Sequence, residues 1–314
     1  MVVPAVLLAF ATILATLGPR WLQAQRWPTR SPLLGIWMWQ ALTASVVVAA
    51  VLAGLTVAVR VMPFGDEAAA LLHTCWLAIR ERYSTPGGAV AASAGLVAAA
   101  AIVSRLVFCL ARQAREIHRC RQRQRRQLAL VAAPDAGRMV VMPDDRSLVY
   151  CLPGRGGIIV CTTAAQTLLT VAQLRVVLAH ERAHLRERHD LPVLAASTLH
   201  TAFPFVPAFR QAETAIRELV EMRADDVAVA GHPPRTLAAA LVLLAEARVP
   251  TSALGAGGAG AFDRFERLLG PRRRLGRRGI PLAVTGLLLS VVPLLLAALP
   301  AAIALVLDYC PPPT

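Results

Sequence analysis

Residues 170–190 read T-V-A-Q-L-R-V-V-L-A-H-E-R-A-H-L-R-E-R-H-D. Thr170 can cap a helix, and Gln173 three positions on completes a capping box. Val171, Leu174, Val177 and Leu178 then recur along one helical face. The polar half that follows contains His180-Glu181-Arg182-Ala183-His184, an H-E-x-x-H. Side chains four apart share a helix face, so both imidazoles can hold one ion. Glu181 projects beside that face and can take a proton from water activated there. In a chain with 7 histidines such a match arises by chance on the order of 0.005 times.

A zinc site needs a third protein ligand and keeps a fourth position open. Glu221 fits, in the E-M-R-A-D of a second expected helix over about 209–230. Asp225, one turn further, can accept a hydrogen bond from a ligand imidazole and fix its tautomer. Ala224 lets the two helices approach closely. Glu218 and Asp226 lie on the same helix, but neither begins an E-x-x-A-D. The plainer reading makes these groups surface salt-bridge partners, with Arg217 and Arg223 paired to Glu221 and Asp225. His189, His200 and His232 could each steady an oxyanion, but a lone histidine is more often structural, so none is assigned a role.

Outward from the motif, the chain is apolar. Hydrophobic residues make up 56% of the 314 and charged residues 17%, with a mean hydropathy of +0.55. Soluble domains carry about 25% charged residues, so a disordered chain and a polar repeat array are both excluded. Four long apolar stretches predict about four transmembrane helices, near 1–19, 33–59, 88–111 and 280–307, with Arg105 of the third placed to snorkel to an interface. The first lacks a basic n-region, so an uncleaved span is favoured over a signal peptide. The segment 191–209 is also apolar, but Pro192, Pro204 and Pro207 interrupt it. It is expected to form a buried or membrane-grazing hairpin rather than a fifth span.

All 33 basic residues are arginine, and the net charge is +14. The segments 20–30 and 105–279 carry the positive excess, while the loop 60–87 and the C-terminal tail do not. Positive-inside logic therefore places a domain at 112–279 in the cytoplasm and the loop and both termini outside. This is the arrangement of a multi-pass membrane protein. The run 112–127 (RQAREIHRCRQRQRRQ) reads as a topology anchor on anionic lipid. It has no aromatic residues to stack bases, so no direct nucleic-acid partner is expected. Within the domain, 148–152 (LVYCL) and 157–161 (GIIVC), joined through Pro153-Gly154, predict a β-hairpin whose edge could pair with an extended peptide. Segment 251–260 reads as a flexible linker leading to FDRFERLL and the arginine clusters at 272–274 and 277–278. Those clusters serve as a topology anchor or, less simply, a self-cleavage site. Six cysteines form no C-x-x-C pair, and Cys75 and Cys310, both expected outside, are either disulfide-bonded or free.

The pairing of H-E-R-A-H-L-R-E-R-H-D with E-M-R-A-D resembles the gluzincin membrane metallopeptidases. Three spans before the motif and one after resemble the BlaR/MecR-type branch, the integral-membrane signalling peptidases linked to β-lactam resistance. The similarity covers roughly 148–230 and extends more weakly to FDRFERLL. It implies a mainly α membrane protein with a cytoplasmic α+β gluzincin-type metallopeptidase domain carrying a small β-hairpin. It further implies one Zn2+ per chain on His180, His184 and Glu221, with Glu181 as the base. Such a protein cuts, or triggers cutting of, a winged-helix transcriptional repressor and can cut itself. The antibiotic receptors carry a penicillin-binding sensor after the last span. The seven residues after Leu307 leave no room for one here, so covalent β-lactam sensing is not expected. Two other readings remain open: a housekeeping protease of damaged membrane proteins, and a non-catalytic receptor or scaffold with a structural metal. The sequence does not fix the oligomeric state, with a dimer the working expectation.

Overall fold

A computed structural model describes residues 2–58, 88–131, 139–154, 156–247, 259–270 and 279–308. The protein is mostly helical with a small three-stranded sheet. Four of its helices are long and apolar enough to cross a membrane. The loop 60–87, Cys75, Cys310, most of the 251–260 linker and both arginine clusters at 272–278 lie outside the described residues.

Helix α1 (Val2–Gln23) is joined by the short α2 (Trp27–Arg30) to α3 (Pro32–Ala58). Helix α4 (Gly88–Val131) runs 44 residues without a break, so the apolar stretch and the arginine-rich run form one rod across the expected junction at 111/112. No proline interrupts it, and Arg, Gln, Ala and Leu are strong helix formers. α3 and α4 cross at glycines. A Cβ on Gly54 would lie 2.6 Å from the Gly95 carbonyl oxygen, and the reverse holds for Gly95. Only hydrogen fits at such a backbone-to-backbone contact.

The sheet has the order β1-β3-β2, from β1 (Met139–Met142), β2 (Val149–Leu152) and β3 (Ile158–Thr162). β2 and β3 form the expected antiparallel hairpin, with Tyr150 opposite Val160. β1 adds a parallel strand that the sequence reading missed, with Val140 opposite Val160. β2 is left as an edge. Helix α5 (Thr163–Leu168) follows, its first turn capped by the Thr162 hydroxyl, which accepts from the Ala165 N–H at 3.2 Å. Helix α6 (Val171–Arg186) opens on the Thr170/Gln173 capping box and carries the H-E-x-x-H.

The apolar segment 191–209 folds as α7 (Asp190–Ala202), a turn at 203–206, and the start of α8 (Pro207–Ala228). It does not form a fifth span. α7 lies along α4, tied by Arg121 to Asp190 (3.2 Å), by Gln113 to Thr201 (2.6 Å), and by Arg105 to the Ala202 carbonyl. α8 returns along α3, with Leu219 seated on Gly35 and with Ala212 and Ile216 in one buried cluster with Ile36 and Trp39. The twelve residues from Leu219 back to Pro207 rise about 18 Å, so the turn sits well up alongside the spans, with Phe205 exposed.

A second core forms where α6 packs on the sheet and on α9 (Pro234–Glu246). It buries Val176, Val177, Ile159, Cys161, Leu237 and Ala238. Helix α10 (Ala259–Leu269) closes this core with Leu268, and α11 (Gly279–Asp308) packs against α3.

Candidate metal centre

α6 and α8 pack side by side, with Ala183 and Ala224 fully buried. This brings His180, His184 and Glu221 together: one ligand atom from each lies within 4.8 Å of the others. His180 Nε2 and His184 Nε2 are 3.0 Å apart, and each is 3.5 Å from a different Glu221 oxygen. Two neutral-capable imidazoles and one carboxylate are the donor set of a three-ligand zinc site with an open position. The buried His180 Nδ1 has no well-aligned hydrogen bond, yet Asp225 Oδ1 lies only 3.0 Å away. An imidazole whose Nε2 is ligated presents its other N–H to a carboxylate in this way. The residues present therefore fit the ion.

The electrostatics agree. Burial works to lower the His180 pKa, but the Asp225 and Glu221 carboxylates overcome it and hold it up at about 9. Burial would raise both carboxylates, yet Glu221 is held down to about 2 by His180 and Arg264. Asp225 is held down to about 2 by Arg264 and His180. Burial and the neighbouring His180 charge push His184 down to about 4. Cation and anions stand in one cluster, and His180 would have to give up its proton to hold a divalent ion.

Glu181 follows His180 on α6 and faces the edge strand, and burial raises its pKa. The Cys151 thiol of β2 hydrogen-bonds to it, and burial together with the Glu181 charge raises the thiol in turn. A cleft of about 170 Å³ opens beside these groups. Val149, Val177, Leu237 and Leu244 give it apolar walls, with His180, Glu181, Glu221 and Arg264 at its polar side.

The surface salt-bridge reading fails on its partners. Arg217 pairs with Glu213 at 2.7 Å and Arg223 with Glu187 at 2.8 Å, so neither holds Glu221 or Asp225. The partner of Asp225 is Arg264 on α10. Its Nε and Nη2 donate to the two carboxylate oxygens at 2.8 and 2.7 Å, and its Nη1 lies 3.0 Å from Glu221. Sequence reasoning missed this residue; its only signal was the FDRFERLL segment. His189 was also left without a role, but its Nδ1 is 3.0 Å from His184 Nδ1 and its Nε2 is 3.4 Å from Glu187. His184 thus has its own backing chain, His189–Glu187–Arg223. His200 and His232 stay apart from the centre, the first on Glu213 at 2.7 Å and the second on the Ala228 carbonyl at 2.9 Å. Asp226 is taken by Arg267.

Residues 111–249 match Peptidase family M48, a segment that contains both the H-E-x-x-H and the E-x-x-A-D. The match supports the M48 metallopeptidase family and does not reach the BlaR/MecR-type branch. No curated protein and no solved structure matches the chain.

Proposed function

We propose, from the metallopeptidase match and the centre it contains, that this protein is a zinc endopeptidase of a bacterial inner membrane. Its site works at the cytoplasmic face, cutting a winged-helix repressor or the chain itself in response to a signal. The observation that carries the reading is the convergence of His180, His184 and Glu221 with a buried glutamate beside them. A zinc ion held by the three would supply Lewis acidity toward a scissile carbonyl and an attacking water. Glu181 takes the proton from that water and delivers it to the leaving nitrogen. Its raised pKa suits a group that must give the proton back. Asp225 and the His189–Glu187 chain hold the two imidazoles in place. β2, paired on one side only, offers a free edge next to the cleft for an extended peptide.

A second reading, degradation of membrane proteins, has one feature in its favour. Glu221 lies two residues beyond the contact of Leu219 with Gly35, near the start of the second span. That position suits peptide bonds close to the bilayer.

The test compares wild type with Glu181→Gln, purified in detergent. Both are expected to hold about one zinc per chain, and only wild type should cut itself or a candidate repressor, with a loss of at least about 100-fold in the variant. Zinc in both with equal cutting would remove Glu181 from the chemistry. Absence of zinc from both would overturn the ligand set. Loss of signalling in a variant that still binds zinc would exclude a scaffold role.

A further inference from the structure

A second cavity, larger than the substrate cleft, lies on the opposite face of α6 from the metal centre. Ala179, Arg182, Ala183 and Arg186 of α6 line it, whereas Val177, His180 and Glu181 line the substrate cleft. Its volume is about 1940 Å³, above the usual range of small-molecule sites. Thr29 and Arg30 of α2, between the first two spans, also line it, together with Arg121 of α4 and Pro153, Gly154, Gly156 and Gly157.

The charge in this cavity is one-sided. Its two acids are already neutralised: Asp190 by Arg121 at 3.2 Å and Asp226 by Arg267 at 2.7 Å. Arg223 is committed to Glu187. Arg30, Arg182, Arg186 and Arg188 also line the cavity, and none has an ion-pair partner among the described residues. Arg182 and Arg186 are four apart on one helix face, where like charges repel. Arg188 has φ of 51°, a left-handed conformation uncommon for a side-chain-bearing residue, in the turn that follows α6, and it lines the same cavity. Gly156, with φ of 68°, has no atom within 4 Å of where a side chain would begin, so this rim is open rather than packed. Unpaired guanidiniums held together in a concave site match a group with several charged oxygens, and phosphate is the one that Arg forks fit best.

We propose that this cavity is a binding site for a phosphate-bearing anion, supplied either by an anionic phospholipid headgroup or by a free phosphate compound. The ligand bridges the connection between the first two spans and the back of the motif helix. None of His180, Glu181, His184 and Glu221 lines it, so the site does not depend on the peptidase reading, although Arg223 at the end of the chain behind His184 forms part of its wall.

The test uses the full chain. Inorganic pyrophosphate is titrated calorimetrically into protein in neutral detergent, and retained lipid is counted by native mass spectrometry after exchange from phosphatidylglycerol or phosphatidylcholine nanodiscs. The double variant Arg182→Gln/Arg186→Gln is compared with Arg119→Gln/Arg123→Gln, which removes the same charge from exposed positions of α4 outside the cavity. The cavity variant should lose about tenfold in pyrophosphate affinity or in retained phosphatidylglycerol, and the α4 variant should lose neither. Response to pyrophosphate alone would identify a free phosphate compound, and response to phosphatidylglycerol alone a headgroup. Equal losses in both double variants would reduce the effect to general attraction and overturn the proposal. So would binding of neither probe, or binding of polyglutamate in their place. If the double variant does not elute as a single species, Arg182→Gln alone should still show a several-fold loss.

Discussion

At the scale of single residues, Asp225 is the hinge of the metal centre. It is fully buried, contacts His180 and takes both forks of Arg264. Asp225→Asn keeps the shape and removes the charge. It should weaken zinc affinity by about 10- to 100-fold, read by competition with a chelator, and leave Glu221 as the carboxylate facing the buried Arg264. The Arg223–Glu187 pair behind His189 makes a pH prediction. Arg223, by hydrogen bonding, holds the Glu187 carboxylate below its ordinary 4.5. A depressed carboxylate stabilises the fold above its unfolded pKa and loses that contribution as pH falls through the folded value. Arg223→Gln should therefore cost on the order of 1 kcal/mol at neutral pH. The gap in thermal midpoint from wild type should close as the pH is taken below 4.5. The clustering of His180, His184 and Glu221 was legible because helical spacing alone brings two of them together and the E-x-x-A-D marks the third. Arg264 was not legible. It stands 39 residues beyond Asp225 across a glycine-rich linker, and no local pattern says which of many arginines returns to the site. His189 was hidden for another reason: its approach to His184 depends on the left-handed turn at Arg188.

At the scale of elements, the capping box read the start of α6, and the helix expected over about 209–230 runs from Pro207 to Ala228. The sheet was read only in part. β1 is the four-residue M-V-V-M, too short to show an alternation, and its partner β3 is parallel and sixteen or more positions away. Such a strand is defined by its neighbour rather than by its own sequence. The 191–209 segment was ambiguous because its apolar faces contact other helices, a requirement that composition does not distinguish from contact with lipid. The α3–α4 crossing gives a direct test. Gly54→Val would drive a side chain into the Gly95 carbonyl and the Ala99 side chain. It should destabilise the bundle by about 1–3 kcal/mol, seen as a lower aggregation temperature in detergent, and an unchanged temperature would mean the helices do not meet there.

At the scale of the whole molecule, the boundary between spans and peptidase is not a boundary in packing. One buried cluster takes Leu22, Ile36, Met38 and Trp39 from the spans and Ala196, Ala212, Ile216 and Val220 from α7 and α8. A fragment of residues 112–279 should therefore fail to elute as a soluble monomer, since excision exposes half of that cluster to water. A monodisperse, zinc-binding fragment would show that the shared core is dispensable. The four apolar runs foretold the four long apolar helices among the described residues, but not that one of their cores would be finished by the domain's own helices.

The seat of Leu219 on Gly35 has a mechanical meaning. α3 and α8 are two rods pinned together two residues from Glu221. A bilayer that thins or thickens changes the tilt of a span at a cost of fractions of a kcal/mol per Å. With the rods pinned so near the ligand, that tilt becomes a displacement of one jaw of the metal clamp relative to the other. A change in the tilt of α3 would on this geometry be felt at Glu221 before it is felt at His180 or His184.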